Sequence, residues 1–161
     1  TPGETMRTNG VIALRDKRGR KMDILRCDTT QYSRIARRYR SALAAGPMLV
    51  RDGRSVEYDS EDSFYARRHP RTLIGKRADG TVVMAVIDGR FKGEADGATI
   101  AETAYIARQL GLVDALNLDG GGSSTLWTAQ EGILNHPYDN KRFDHEGERG
   151  VPNCIVIRRN K

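Results

Sequence analysis

Two Asp-Gly pairs, each standing between two segments with the pattern of strands, constrain the fold of this chain more than any other feature. The pairs are Asp52-Gly53 and Asp79-Gly80, and their flanking runs are residues 48–50 with 55–57 and residues 71–75 with 82–87. Asp-Gly suits the tight turn of a β-hairpin because that turn needs positive φ angles. Each pair therefore predicts two neighbouring antiparallel strands.

The spacing of apolar residues predicts two helices. The clearer one covers residues 100–110, where Thr99 and Glu102 have the three-residue spacing of a capping box. A second helix is predicted over residues 31–44, because its apolar residues recur every four positions, and Gly46-Pro47 would end it.

The remaining apolar runs complete the predicted fold. We expect further strands at residues 11–14, 21–26, 115–118 and 151–157, the first two forming a hairpin. The run 82–87 is nearly all apolar, which predicts a central strand buried on both faces. Its link through helix 100–110 to strand 115–118 predicts a crossover. Strands outnumber helices, which favours an α+β fold of one domain, with a mixed, mainly antiparallel sheet and one or two packed helices.

Charge and cysteine content narrow the classes of function. The net charge is +6, with much of the excess in residues 15–21 and 34–40, which either attract anions or form a solvated surface. No nucleic-acid-binding motif is present and few aromatic residues lie among the basic ones, so no nucleic acid partner is expected. No apolar stretch reaches the length of a membrane span. Cys27 and Cys154 form one disulfide or remain two thiols, and the sequence leaves both options open.

The strongest local signal for function is a run of three glycines after the strand predicted at residues 115–118. We call it the glycine loop, and it consists of Asp119-Gly120-Gly121-Gly122-Ser123-Ser124. Glycines let main-chain N–H groups approach a ligand, and successive N–H groups that point one way bind anions. The alternative is a tight strand-to-helix turn with a serine cap. The Walker A, dinucleotide and nucleophile-elbow patterns do not fit these residues.

Other polar residues stand at the predicted ends of strands. Asp88-Gly89-Arg90 follows a buried strand, where Asp88 could hold a metal or a sugar hydroxyl and Arg90 a phosphate, unless the segment is a simple turn. His69-Pro70-Arg71 opens another strand, and Arg71 could face the same cleft. Glu102 is explained by its capping box as well as by a catalytic role. Trp127 is expected in the core, with sugar stacking as the alternative.

These segments, in this order, resemble the phosphodiester glycosidase family. The matching stretches are residues 45–50 with Asp52-Gly53, His69-Pro70-Arg71-Thr72, residues 86–90, residues 97–111, residues 114–127, Glu148-Arg149 and Pro152-Asn153. The likeness covers residues 44–157, and residues 140–145 are similar to members from Bacteroides-type bacteria. It implies that the N-terminal part of the usual domain is missing and that the protein is secreted, periplasmic or on the cell surface.

The resemblance implies hydrolysis of the bond between a sugar C1 and a phosphodiester, with a sugar-1-phosphodiester as the substrate. It implies catalytic roles for Asp119, Asp88, Glu102 and Arg71. It implies substrate- or phosphate-binding roles for Arg90, Gly120, Gly121, Gly122, Ser123, Ser124, His69, Arg149 and Asn153. A divalent metal is compatible with these residues but not required. The alternatives are a carbohydrate- or phosphate-binding module without catalysis and a basic nucleic-acid-binding domain.

Overall fold

The computed structural model describes residues 7–16, 21–59 and 61–158 and confirms the α+β fold. The strands are β1 Gly10–Leu14, β2 Met22–Arg26, β3 Ser41–Ala45, β4 Met48–Arg51, β5 Arg54–Ser55, β6 Arg71–Arg77, β7 Val82–Ile87, β8 Leu112–Asn117, β9 Trp127–Thr128 and β10 Gly132–Ile133. The helices are α1 Tyr32–Arg38, α2 Ser63–Ala66 and α3 Ile100–Gln109, and short 3-10 turns cover Thr29–Gln31 and Gly121–Ser123.

Antiparallel pairing dominates both larger sheets. One has five strands in the order β5-β4-β8-β6-β7, and the other has three in the order β2-β1-β3. Both hairpins predicted from the Asp-Gly pairs are confirmed, as β4–β5 and β6–β7, and so is the hairpin of β1 with β2. The turn glycines Gly53 and Gly80 have φ angles of 75° and 88°, as the predicted turns require. Part of the predicted turn at residues 16–19 lies outside the described residues.

The two larger sheets pack face to face between two helices. One face of the five-stranded sheet buries Leu49, Leu73 and Ala115 against α3. Its other face meets the three-stranded sheet, where Ile12 and Ile24 pack with Met48, Ile74 and Leu116. The far side of the three-stranded sheet is covered by α1 through a cluster that contains Val11, Ala13, Cys27, Ile35 and Tyr39. The core is therefore split into three layers of apolar contact.

Helix α3 begins as its sequence predicts. The Thr99 hydroxyl accepts a hydrogen bond from the Glu102 main-chain N–H at 3.1 Å, and the Glu102 carboxylate accepts one from the Thr99 N–H at 2.9 Å. Such a cap stabilises a helix by about 1 kcal/mol. Gly111 follows the helix with a φ angle of 77°, which lets the chain turn into β8.

The helix predicted over residues 31–44 is wrong in its second half. Helix α1 ends at Arg38, and Ser41–Ala45 forms β3, which pairs antiparallel with the whole of β1. Leu43 and Ala45 of this segment pack against the core between the sheets, and the backbone bonds to β1 outweigh a weak helical pattern.

Two strand predictions and one core prediction are also wrong. The strand β7 lies at the edge of its sheet, and its residues are half-buried or exposed rather than buried on both faces. Residues 151–157 form no strand and are mostly exposed. The side chain of Trp127 is 63% exposed and lines a surface groove instead of the core.

The two cysteines lie in different environments. Cys27 is buried between β1 and α1, whereas Cys154 is exposed, and the two sulfur atoms are not bonded to each other. Within the described part of the chain, no helix has the length and apolar character needed to cross a bilayer.

The sheet topology fixes where a site can form. Strands β7 and β8 both pair antiparallel with β6, so they run parallel to each other, and α3 provides the predicted crossover between them. The ends of β7 and β8 and the start of β6 consequently lie at the same end of the sheet. Asp88-Gly89-Arg90, the glycine loop and His69-Pro70-Arg71 emerge there.

Candidate functional site

The glycine loop packs directly on the chain that opens β6. The Gly121 N–H donates to the Pro70 carbonyl oxygen at 2.9 Å. A Cβ atom at Gly120 would lie 2.7 Å from that same oxygen, so only a glycine permits this approach. The loop and the His69–Arg71 segment therefore form one wall.

Most N–H groups of the glycine loop are bonded within the protein, which departs from the open anion-binding loop predicted from the sequence. The Ser123 and Ser124 N–H groups donate to the carbonyls of Gly120 and Gly121, both at 3.2 Å. The Gly120 N–H donates to the Asp119 carboxylate at 3.0 Å. The described part of the chain supplies no acceptor for the N–H groups of Asp119 and Gly122, and Gly122 is buried against Asp139 and Arg149. The loop thus does not present a row of free main-chain donors to a ligand.

Arg90 lies against the glycine loop on one side. Its φ angle of 68° is unusual for a side chain of this size. Its guanidinium lies 5.3 Å from the centre of the Tyr138 ring and within 3.3 Å of the place where a Gly121 Cβ would stand. Cation–π contact and loop packing thus hold the charge in position.

His69 orients Arg90 as a neutral imidazole. Its Nδ1 accepts a hydrogen bond from Arg90 Nη2 at 3.1 Å, which places the ring proton on Nε2, where it is donated to the Ser63 carbonyl at 3.2 Å. Burial lowers the pKa of His69 below its usual value, and the Arg90 charge lowers it further.

Arg149 supplies a second positive charge on the other side of the loop. Its Nε and Nη2 atoms lie 2.6 and 2.9 Å from the two carboxylate oxygens of Asp139. This bond holds the pKa of Asp139 below its usual value. Arg149 also interacts electrostatically with Asp119. Half of the Arg149 side chain stays exposed, so the guanidinium can reach a ligand.

Asp88 is committed to the chain that follows β10. Its carboxylate accepts hydrogen bonds from the Asn135 side chain at 3.0 Å, the His136 N–H at 3.0 Å and the His136 Nδ1 at 2.9 Å. Asn135 also donates to the Ser124 carbonyl and so links Asp88 to the glycine loop. The Asp88 carboxylate therefore holds this segment in place beside the glycine loop.

Two of the predicted catalytic residues have their polar atoms engaged elsewhere. Arg71 is 2% exposed, and its guanidinium donates to the main-chain carbonyls of Phe64, Arg67 and Ala98. Burial, with a smaller effect of Arg90, lowers the pKa of Arg71 to about 10. Glu102 accepts from the Thr99 N–H and forms an ion pair with Arg68. The structure thus brings neither group to the loop's open side.

Asp119 differs from these groups because it is exposed. Among the described residues, the Asp119 carboxylate accepts one hydrogen bond, from the N–H of the adjacent Gly120. It lines one end of a groove of about 880 Å³, together with Ser123 and Arg149. The groove continues over apolar residues of β6 and β7, past Trp127, to Asn153 and the segment that follows it.

Ser124 and four residues that the sequence analysis did not select support this site from behind. Ser124 is buried and accepts from the Thr72 hydroxyl at 3.1 Å. The missed residues are Asn135, His136, Tyr138 and Asp139. They lie in a segment without periodic structure, and no short-range spacing in the sequence connects them with Asp88, Arg90 or Arg149. Within the described ranges, no group of three or more His, Cys, Asp or Glu residues could hold a metal ion.

Comparison with known proteins gives a family match over nearly the whole chain. A family described as phosphodiester glycosidase matches residues 3–158, further toward the N-terminus than the motifs alone reach. The YomE protein of the SPbeta prophage of Bacillus subtilis (strain 168), whose function is uncharacterized, is 36% identical over 100 residues, which are 61% of this chain and 15% of that protein.

Two vertebrate proteins extend this comparison. The N-acetylglucosamine-1-phosphodiester alpha-N-acetylglucosaminidase of Mus musculus is 31% identical over 86 residues, 50% of this chain and 16% of its own length. The catalytic domain of the zebrafish enzyme of the same name, auto-inhibited by its pro-peptide, has the same fold with a TM-score of 0.66 at 17% identity. That match covers 88% of this chain and 50% of the zebrafish one. The chain thus spans about one sixth of each curated relative.

Proposed function

Because the chain belongs to the phosphodiester glycosidase family, we propose that it hydrolyses the bond between a sugar C1 and the phosphate of a sugar-1-phosphodiester. The named activity of the mouse relative supports a substrate of the N-acetylglucosamine-1-phosphodiester type. The expected secreted, periplasmic or cell-surface setting belongs to the same proposal.

The observation that carries this proposal is the position of two arginines around the glycine loop. Arg90 lies beside Gly121, and Arg149 lies beside Gly122. Breaking the C1–O bond leaves the electron pair on a phosphate oxygen, so the leaving group gains negative charge. Fixed guanidinium groups at that oxygen stabilise the transition state more than the substrate.

We assign the chemistry at C1 to Asp119. Asp88 is held by three donors, and Glu102 caps α3 while paired with Arg68, whereas the Asp119 carboxylate is exposed next to Arg149. In the proposed step, a water oxygen bonds to C1 and the water proton passes to the Asp119 carboxylate. The bond from C1 to the phosphate oxygen breaks with its electron pair leaving on the phosphate. A phosphate leaving group is already a good anion, so a single base is enough.

Release of N-acetylglucosamine from UDP-N-acetylglucosamine tests the function. We expect the unmodified chain to release the sugar and Asp119→Asn to reduce kcat by about 100-fold or more. The matched control is Glu102→Gln, which alters a carboxylate of the cap and should keep most of the rate. Full activity of Asp119→Asn would remove this carboxylate from the mechanism.

The alternative of a binding module without catalysis predicts a different result. Such a module would bind the sugar phosphodiester in a calorimetric titration and release no sugar. Sugar release by the unmodified chain therefore separates the two functions.

A further inference from the structure

Phe143 is an aromatic residue that stays exposed although it is packed on one side. The side chain is 42% exposed. One face of the ring stacks on His136 with a centroid distance of 3.7 Å and an angle of 11°, and Phe91 meets it edge-on at 5.3 Å. The ring is thus fixed in one orientation while part of it faces solvent.

The loop that carries Phe143 is closed by its own hydrogen bonds. The Asp139 N–H donates to the Gly147 carbonyl at 3.2 Å, which joins the two ends of residues 139–147. Inside the loop, the Asn140 side chain donates to Asp144 at 2.8 Å and accepts from the Arg142 N–H at 3.0 Å. A single exposed apolar side chain is ordinary on a protein surface. The Phe143 ring differs because stacking and a hydrogen-bonded loop hold it in place. A preformed ligand site requires such a fixed side chain.

The position of the ring relates it to the candidate site. Phe91 follows Arg90 in the chain and also contacts Tyr138, the ring on which the Arg90 guanidinium lies. His136, which stacks on Phe143, is bonded through Nδ1 to Asp88. Phe143 is therefore two ring contacts, through Phe91, from Tyr138, on which the Arg90 guanidinium packs. This row of rings links the exposed face of Phe143 with the arginine that we assign to the phosphate.

We propose that the exposed part of Phe143 binds the sugar ring of the substrate, next to the phosphate held by Arg90 and Arg149. A pyranose ring presents an apolar C–H surface, which packs on an aromatic face, while its hydroxyl groups reach neighbouring polar atoms. This assignment rests on the proposed function, since it places the sugar relative to the phosphate.

Calorimetric titration with N-acetylglucosamine 1-phosphate and with inorganic phosphate tests the assignment without any need for turnover. We expect the unmodified chain to bind the sugar phosphate about tenfold more tightly than phosphate, because burial of the sugar against the ring adds to the anion contact. Phe143→Leu should remove most of this preference and leave phosphate binding unchanged, since leucine keeps the apolar volume without a flat face. Phe143→Tyr should keep the preference.

Tyr105→Leu is the matched control, since Tyr105 is an aromatic residue on α3 that is 63% exposed. It should keep the full preference for the sugar phosphate. An unmodified chain without any preference, or a Phe143→Leu variant that retains it, would overturn the assignment. If the preference is lost in Phe143→Leu while the unmodified chain releases no sugar, the sugar site stands and the proposed hydrolysis fails. If sugar is released and Phe143→Leu binds normally, only the sugar site fails.

Discussion

Arg149 and Asp139 form a two-pronged ion pair, with N–O distances of 2.6 and 2.9 Å, against the main chain of Gly122. A Cβ atom at Gly122 would overlap the Asp139 carboxylate and lie 2.6 Å from Arg149 Nη2. The pair therefore occupies space that the missing side chain provides. This contact explains the third glycine of the loop by the approach of two side chains rather than by a cradle of N–H groups.

Gly122→Ala should consequently impair the site more than the fold. The added methyl group meets the ends of two flexible side chains, so we expect the free energy of unfolding to change by about 1 kcal/mol or less. Displacement of Arg149 should lower kcat/KM for sugar release by about tenfold or more. Kinetics and urea denaturation measure the two effects, with Gly150→Ala as the control, because a Cβ there meets nothing within 4 Å. Unchanged kinetics of Gly122→Ala would show that the Arg149–Asp139 ion pair does not contribute to catalysis.

The elements that position the site were predictable because their signals are local. Asp-Gly turns and the capping box of α3 depend on residues a few positions apart, and they are confirmed. The Asp79-Gly80 turn pairs β6 with β7, and this pairing helps to place Asp88 and Asp119 at the same end of the sheet. Local signals failed where pairing between distant strands decides the structure, as in β3.

The supporting half of the site could not be predicted for a related reason. Asn135 bonds to Asp88 across 47 positions of sequence and belongs to a segment with no helical or alternating pattern. Arg71 shows the opposite case. The sequence motif identified the residue but did not reveal which way its side chain points. Its guanidinium turns inward to three carbonyls that no sequence pattern reveals.

Acid should destabilise the protein through His69. Burial lowers the pKa of His69 in the folded state, so the unfolded chain binds this proton more readily. The contribution is present above the unfolded pKa of about 6.5 and is lost as the pH falls through the folded pKa. We expect the free energy of unfolding to decrease as the pH falls below about 6.5. His69→Gln should flatten that part of the profile, because an amide bonds to Ser63 and Arg90 without a titrating proton. If the stability of this variant depends on pH in the same way as that of the unmodified chain, the loss of stability in acid comes from other groups.

Neutralising Arg71 should mainly lower stability, whereas neutralising Arg90 should mainly lower activity. Arg71→Met leaves three main-chain carbonyls without their donor and removes a buried side chain from its contacts, so the free energy of unfolding should fall by about 3 kcal/mol. Arg90→Gln loses an exposed cation–π contact, so stability should change by about 1 kcal/mol or less, while kcat/KM should fall by about 100-fold. Urea denaturation and steady-state kinetics of both variants test this division. Equal stability of the two variants would contradict a structural role for Arg71.

The stereochemistry of sugar release tests the assignment of Asp119 most directly. A water molecule that is activated by one carboxylate attacks C1 from the side opposite the phosphate, so the configuration at C1 should be inverted. Two carboxylates about 5 Å apart would instead permit a covalent intermediate and retention. Asp88 and Glu102 are both held by other groups, which leaves Asp119 to act alone among the predicted carboxylates. Proton NMR during the first minutes of turnover should show the β-anomer released from an α-linked phosphodiester. Initial release of the α-anomer would indicate a covalent intermediate with a nucleophilic carboxylate and would overturn the step in which Asp119 acts only as a base.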